Sequence, residues 1–152
     1  MSAVSARLAE LGIELPSVVA PIGAYLPAVR TGSLVYTSGQ LPMVAGELPA
    51  VGKVGAEVSV EDAARCARYC ALNALAAVHE LVGIDSITRI VKVVGFVASA
   101  PGFTGQPAVV NGASELFGEV FGDAGRHARS AVGVAELPLG VPVEVELIVE
   151  VG

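Results

Sequence analysis

The sequence contains no tryptophan, only two cysteines, and few aromatic residues (5%). Two cysteines cannot supply the disulfide framework that holds many small secreted domains together. At 152 residues the chain is long enough to bury a hydrophobic core without such bridges, and its length fits one domain. We expect a single domain over residues 1–152, in which residues 1–16 form an extension with a short helix from Ser2 to Leu11.

Basic side chains are also scarce. Nine Lys and Arg residues stand against 15 Asp and Glu residues, for a formal net charge of -6. A protein that binds nucleic acid by neutralising phosphates needs the opposite balance. The composition therefore predicts no nucleic-acid partner.

Long uninterrupted apolar runs are missing as well. The longest uncharged run, residues 93–114, is broken by several glycines and prolines, whereas a membrane-spanning helix needs about 20 mostly apolar residues. Residues 1–14 include Arg7, Glu10 and Glu14 and lack the apolar centre of a secretion signal. We expect a cytoplasmic protein that does not bind membranes.

Charged residues make up only 16% of the chain, while 53% of the residues are hydrophobic and the mean hydropathy is +0.68. Average chains contain roughly 25% charged residues. An ordinary core rich in alanine and valine is one explanation. A second apolar surface that becomes buried between subunits is the other, and we favour it.

The hydrophobic spacing predicts two helices and five strands. Ser59 is a suitable N-cap and Gly83 a suitable end for the longer helix. The pair Asn111-Gly112 is also a hairpin signal, but the flanking residues have helical spacing. The predicted strands are Tyr25–Arg30, Ser33–Ser38, Ile87–Ser99, Arg129–Ala135 and Val143–Val151, with a turn at Thr31-Gly32, and the helices are Ser59–Val82 and Pro107–Phe121.

The predicted order β-β-α-β-α-β-β indicates an α+β domain with both helices on one face of the sheet. The last strand alternates between apolar residues and residues that are mostly glutamate, so one of its faces is apolar. No element of the chain remains to cover the second face of the sheet. Subunit association is the simplest cover.

Two possible motifs carry no function. The glycine-rich segment ending at Lys53 has Val54 where a phosphate loop needs Ser or Thr. Cys66 and Cys70 lie four residues apart on the apolar side of the long helix, and we interpret them as core residues rather than metal ligands. His79 is interpreted as a solvated helix residue and His127 as a strand-end residue.

Several segments, taken in order, resemble the RidA/YjgF family. They are Ala20–Tyr25, Val35–Pro42, the alanine-rich helix, Asn111, Ala128–Val132, Leu137-Pro138 and Val143–Val145. The resemblance implies a chorismate-mutase-like fold with a mixed sheet. It also implies a homotrimer with its sheets facing inward and a cleft at each subunit interface.

The family activity implied by this resemblance is hydrolysis of reactive enamines and imines, such as 2-aminoacrylate and 2-iminopropionate, to a 2-oxo acid and ammonia. Neither a metal nor an organic cofactor is implied. A homotrimer that binds a small 2-oxo or amino acid without turnover is the alternative. Endoribonuclease activity, a label that some family members carry, is a weaker hypothesis because the chain is acidic.

The same resemblance assigns catalytic roles to three residues. Arg129 would hold the substrate carboxylate through two parallel hydrogen bonds, and the alternative is a solvated or glutamate-paired strand arginine. Glu144 would deprotonate or orient the attacking water, and the alternative is an ordinary exposed glutamate. Tyr25 would close the pocket and donate from its hydroxyl, and the alternative is a half-buried interface aromatic.

Four further residues are expected to bind substrate. Ser38 and Gly39 match positions that line the pocket with backbone groups, Asn111 matches a position near the cleft, and Ala131 would contribute its carbonyl. The chain departs from the family pattern at Ala131, which replaces a frequent cysteine, and at Ala24 and His127, which replace prolines. These departures indicate a divergent branch whose substrate can differ from 2-iminopropionate.

Overall fold

The predicted order of strands and helices is confirmed by a computed structural model that describes residues 3–152. A short helix precedes that order, and three single-turn 3-10 helices lie in connections. The elements are α1 (Val4–Glu10), β1 (Ala28–Thr31), β2 (Leu34–Thr37), α2 (Val60–Val82), β3 (Ile87–Ala98), α3 (Gln106–Phe121), β4 (Ala128–Val134) and β5 (Val143–Val151). The predicted α+β class is therefore correct.

The five strands form one mixed sheet in the order β1-β2-β5-β3-β4. Strands β3 and β4 are parallel, and the other neighbouring pairs are antiparallel. Strand β5 thus lies in the middle of the sheet, and β4 lies at an edge with one side unpaired. This arrangement separates the two strands that carry Glu144 and Arg129.

Helices α2 and α3 cover one face of the sheet. The Ser59 Oγ accepts a hydrogen bond from the Asp62 N–H (3.1 Å), and Gly83 ends α2 with a φ of 82°. Asn111 and Gly112 lie inside α3, so the hairpin alternative is wrong. A Cβ on Gly112 would lie 2.7 Å from the Ala64 carbonyl carbon. This glycine therefore lets the two helices approach closely rather than forming a turn.

The predicted start of β1 and the predicted turn after it are wrong. Strand β1 begins at Ala28 instead of Tyr25, because Pro27 has no N–H to donate to the ladder. Its carbonyl still accepts a hydrogen bond from the Ser38 N–H at 2.8 Å. The turn lies at Gly32-Ser33 rather than Thr31-Gly32, with Thr31 paired to Leu34 and Gly32 in the left-handed region.

The other boundaries need smaller corrections. Strand β4 ends at Val134 rather than Ala135. The N-terminal helix covers Val4–Glu10, and Ser2 lies outside the described residues. This helix is held to the domain by Ser5, whose Oγ donates to the Asp85 carboxylate at 2.7 Å. Within residues 3–152, no helix is both long and apolar enough to span a membrane.

The predicted alternation along β5 is confirmed. Its valines and Leu147 are buried beneath α2, whereas Glu144, Glu146 and Ile148 on the other face are only partly buried and Glu150 is exposed. The opposite face of the sheet carries exposed hydrophobic residues, among them Tyr36 (44% exposed). No helix of the described chain covers that face. We call it the open face; its other exposed hydrophobic members are Val29 and Val132.

Candidate active site

A cleft with a volume of about 1100 Å³ lies between two segments of the described chain. One wall is the extended segment from Pro16 to Ile22, and the other is the segment that follows β2. Four of the predicted site residues line this cleft: Tyr25, Ser38, Gly39 and Glu144. The structure therefore brings together residues that are up to 119 positions apart (144 − 25) in the sequence.

Glu144 and Gly39 are in close contact at the base of the cleft. A Cβ on Gly39 would overlap the Glu144 Oε2 and would lie 2.8 Å from the Glu144 Cδ. Only a glycine at this position leaves the carboxylate where it is. Within residues 3–152, the Gly39 N–H has no hydrogen-bond acceptor, so it is free to donate to a ligand or a water.

The pKa of the Glu144 carboxyl is raised, first because burial removes water from the charged form and second because Glu146 repels that charge. Residues 144 and 146 lie on the same face of β5, since alternate residues of a strand do. A carboxylate with a raised pKa is a stronger base than an ordinary glutamate. This property suits the removal of a proton from water.

Ser38 lines the cleft, but its own polar groups are already engaged. Its Oγ donates to the Leu26 carbonyl (2.6 Å), and its N–H donates to the Pro27 carbonyl. The Tyr25 hydroxyl accepts a hydrogen bond from the Ile22 N–H at 3.2 Å, and its own proton remains available. Of these two residues, Tyr25 is therefore the better donor to a ligand.

The wall that follows β2 is fixed by a buried asparagine. The Asn73 side chain on α2 is 1% exposed and donates to the carbonyls of Leu41 and Met43, both at 2.9 Å. A buried amide that satisfies two loop carbonyls holds the loop in one position. Nothing in the sequence singles out Asn73, because an asparagine inside a helix gives no signal of its partners.

The three remaining predicted residues form a second group at the edge strand β4. The half-buried Arg129 donates from Nη1 to the Asn111 Oδ1 (2.7 Å) and to the Ser114 Oγ (3.2 Å). Ala131 lies two residues further along β4 and is partly buried against the core. We call Arg129, Asn111 and Ala131 the edge group, and none of them lines the cleft.

The Arg129 and Glu144 side chains lie on opposite faces of the sheet. Arg129 is in register with Val93, a core residue that faces the helices, and its side chain contacts α3. Glu144 is in register with Phe96, which lies on the open face. A small substrate therefore cannot contact Arg129 and Glu144 of the same chain.

Arg129 has no acidic partner among residues 3–152, so the alternative of a glutamate-paired arginine is wrong. No salt bridge of the described chain includes it. Both of its acceptors are neutral, and both engage Nη1. The Nε and Nη2 hydrogens are left as a fork that fits a carboxylate.

His127 and Ser114 are two polar residues of this region whose contacts sequence reasoning missed. Nε2 of His127 lies 2.9 Å from the Ser114 Oγ, and its Nδ1 lies 2.6 Å from the Gly125 carbonyl oxygen. His127 directly precedes β4, as the strand-end interpretation expects, and it is also part of a hydrogen-bonded chain that ends at Arg129. The three-residue spacing of Asn111 and Ser114 on α3 is the signal that could have placed both beside Arg129.

Cys66 and Cys70 are buried in the core, as predicted. Burial raises the pKa of both thiols, and that of Cys70 is well above its ordinary value. A buried, protonated thiol is a poor nucleophile and a poor metal ligand. In the part of the chain that is described, no three His, Cys, Asp or Glu side chains lie close enough to hold a metal ion.

The order of elements, the mixed sheet and the glutamate-lined cleft define the YjgF/chorismate-mutase-like class of domains. Residues 5–151 match the model of the family described as "YjgF/chorismate_mutase-like, putative endoribonuclease". The chain belongs to this family. The predicted resemblance is thereby confirmed.

Three relatives illustrate the likeness. The chain is 45% identical over 151 residues to Protein TCP17 of Trypanosoma cruzi, a match that covers 97% of this chain and 93% of that protein. It is 37% identical over 129 residues to the 2-iminobutanoate/2-iminopropanoate deaminase of Salmonella typhimurium, covering 85% and 88%. The crystal structure of Atu1372, a protein of unknown function from Agrobacterium tumefaciens, superposes with a TM-score of 0.90 at 46% identity, covering 98% and 92%.

Proposed function

We propose that this protein is a hydrolytic deaminase that converts reactive 2-imino acids, of the 2-aminoacrylate/2-iminopropionate type, to 2-oxo acids and ammonia. The observation that carries the proposal is the half-buried guanidinium of Arg129, held by two neutral acceptors and paired with no carboxylate of the described chain. An arginine held in this way is available for an anion from outside the chain. The name of the Salmonella relative agrees with this activity.

We also propose that the working site lies between subunits of a homotrimer. The opposite placement of Arg129 and Glu144 supports this, because only a second chain can bring Arg129 next to the cleft. The unpaired side of β4 and the apolar open face supply surfaces that another subunit can cover. A head-to-tail contact that closes into a ring gives three equivalent clefts.

The chemistry follows from the groups at such a composite site. The enamine first tautomerises to the imine, and Arg129 binds the carboxylate beside the C=N carbon. Glu144 takes a proton from water while the oxygen of that water adds to this carbon, giving a tetrahedral aminoalcohol. The substrate enters with its imine nitrogen protonated, so this aminoalcohol is neutral. The proton on Glu144 then passes to the nitrogen. As the C–N bond breaks, the hydroxyl group returns its own proton to Glu144 and becomes the carbonyl, and the 2-oxo acid and ammonia leave.

Two cleft groups have supporting roles in this scheme. The free N–H of Gly39 is placed to hold the substrate or the attacking water beside Glu144, and the Tyr25 hydroxyl can donate to the same molecule. The protein contributes only proton transfer and hydrogen bonding, and the bonds that form and break are those at the substrate's C=N carbon. The residues at the site are sufficient for the reaction, and no step requires a metal or an organic cofactor.

A direct assay tests the proposal. An amino-acid oxidase generates a panel of 2-imino acids, and ammonia release is followed with and without the protein. We expect the protein to accelerate release and Arg129→Ala to abolish the acceleration. Arg126→Ala is the matched control, because the Arg126 side chain is 85% exposed and pairs only loosely with Asp123.

Two outcomes would contradict the proposal. If the wild-type protein binds pyruvate but accelerates no imine, it is a binder of small 2-oxo acids rather than a deaminase. If Arg129→Ala retains wild-type turnover, Arg129 is not the carboxylate-binding group. The subunit arrangement needs a different test, in which one inactive variant complements another.

A further inference from the structure

We propose that His127 and Ser114 are positioning residues for Arg129, which they hold with its free fork turned toward the substrate. The inference rests on the proposed function, because it concerns the arginine that would bind the carboxylate. It assigns a role to a histidine at a position where the family commonly has proline. Neither residue is proposed to touch the substrate.

The hydrogen bonds fix the tautomer of His127. A carbonyl oxygen can only accept a hydrogen bond, so the 2.6 Å contact with the Gly125 carbonyl requires a proton on Nδ1. In the neutral ring Nε2 is then an acceptor. The Ser114 hydroxyl, 2.9 Å away, must donate to it.

The direction of that donation determines what Ser114 offers to Arg129. With its proton directed at His127, the Ser114 oxygen turns a lone pair to the Arg129 Nη1 at 3.2 Å. Asn111 accepts the second Nη1 hydrogen at 2.7 Å. Both Nη1 hydrogens are then engaged by α3, and the Nε and Nη2 hydrogens, which have no acceptor among residues 3–152, are left for a ligand.

The imidazole is itself held in place. Its ring packs edge-on against the fully buried Phe117, with ring centroids 5.9 Å apart and an interplanar angle of 87°. Gly125, whose carbonyl orients the ring, is buried against the end of α3, where a Cβ would lie 2.8 Å from the Phe117 carbonyl carbon. The chain from Gly125 through His127 and Ser114 to Arg129 therefore starts from a rigid part of the core.

Kinetics of variants distinguish positioning from catalysis. We expect Ser114→Ala and His127→Phe each to raise KM for the imino acid by about tenfold. Ser114→Ala removes one hydrogen-bond acceptor of the Arg129 guanidinium, and His127→Phe removes the acceptor that orients the Ser114 hydroxyl. The value of kcat should stay within about threefold, since neither residue touches the reacting atoms. His127→Phe keeps an aromatic ring packed beside Phe117. If His127 served only to fill that space, KM would therefore stay unchanged in this variant.

Conservative variants should restore binding. Ser114→Thr keeps the hydroxyl, and His127→Gln keeps an acceptor that can reach Ser114, so we expect both to have a KM near the wild-type value. Glu115→Ala, at an exposed position next to Ser114, is the control for a change on α3. An unchanged KM in both Ser114→Ala and His127→Phe would overturn the inference.

A spectroscopic measurement does not depend on turnover. Two-bond ¹⁵N–¹H correlation spectra should show His127 as the Nδ1–H tautomer, and its Nε2 resonance should shift in Ser114→Ala. An Nε2–H tautomer would overturn the inference while leaving the proposed function intact. A wild-type protein that neither releases ammonia nor binds pyruvate would refute the proposed function, and with it this role, whatever the tautomer.

Discussion

The contact between Gly39 and Glu144 makes a single methyl group a sharp test of the candidate base. In Gly39→Ala the new Cβ would lie 2.8 Å from the Glu144 Cδ and 3.2 Å from its Cγ, and it would overlap Oε2. The backbone of Gly39 is outside the positive-φ region, so alanine fits the chain itself. The overlap is relieved when the end of the flexible glutamate swings away.

The two consequences of that movement differ in size. Folding should change little, because the displaced atoms belong to a side chain that can rotate and alanine stabilises the fold by about 0.4–1 kcal/mol through the lower entropy of the unfolded chain. Turnover should fall by about 10²–10⁴-fold, the usual contribution of a positioned general base. The variant is therefore expected to be stable and nearly inactive.

The assay combines ammonia release with thermal unfolding. Gly118→Ala is the control, since Gly118 lies in α3 and a Cβ added there would meet no atom within 4 Å, so this variant should be fully active. Gly39→Ala should also cause no further loss in a Glu144→Gln background, because both changes remove the same group. Wild-type turnover in a folded Gly39→Ala protein would refute the assignment of Glu144 as the base.

Three further predictions concern charge and packing. Burial and the charge of Glu146 raise the pKa of Glu144, so the acid limb of the pH profile of kcat/KM should lie above the ordinary glutamate pKa. Glu146→Gln should move this limb to lower pH, and an unmoved limb would show that Glu146 does not repel the charge on Glu144. Because the pKa of Glu144 is raised in the folded protein, the ionised side chain destabilises the fold at a pH above that pKa. Glu144→Gln removes the charge, so it should raise Tm more at pH 7 than at pH 4. Equal increases in Tm at the two pH values would show that the folded state does not disfavour the ionised side chain. Gly112→Ala, whose methyl would overlap the Ala64 backbone, should cost about 1–3 kcal/mol in urea unfolding, and an unchanged midpoint would show that the helices can separate freely.

Much of the fold could be predicted because local patterns and tertiary packing agree. The alternation from Val143 to Val151 specifies a strand with one buried face, and its central place in the sheet buries that face fully. Ser59 and Gly83 mark the two ends of α2 by the chemistry of the helix termini. The start of β1 was less predictable, since Tyr25 is a good strand former and only the missing N–H of Pro27 limits the ladder.

Residues that line the candidate cleft could be predicted from the sequence, but the arrangement of the predicted residues could not. The family resemblance selected Tyr25, Gly39 and Glu144, and the structure places all three in one cleft. That Arg129 lies on the opposite face depends on the register between β3 and β4, which a single sequence does not reveal. The contacts of His127 depend in the same way on how α3 packs on the sheet.

Subunit complementation tests the composite site most directly. Arg129→Ala and Glu144→Gln proteins, each inactive alone, are unfolded together, refolded and assayed for ammonia release. If each site takes Arg129 from one chain and Glu144 from its neighbour, random mixing in equal amounts should restore about a quarter of wild-type activity. If the mixture stays as inactive as its components while wild-type protein regains activity after the same treatment, the two residues do not meet across subunits and the account is wrong.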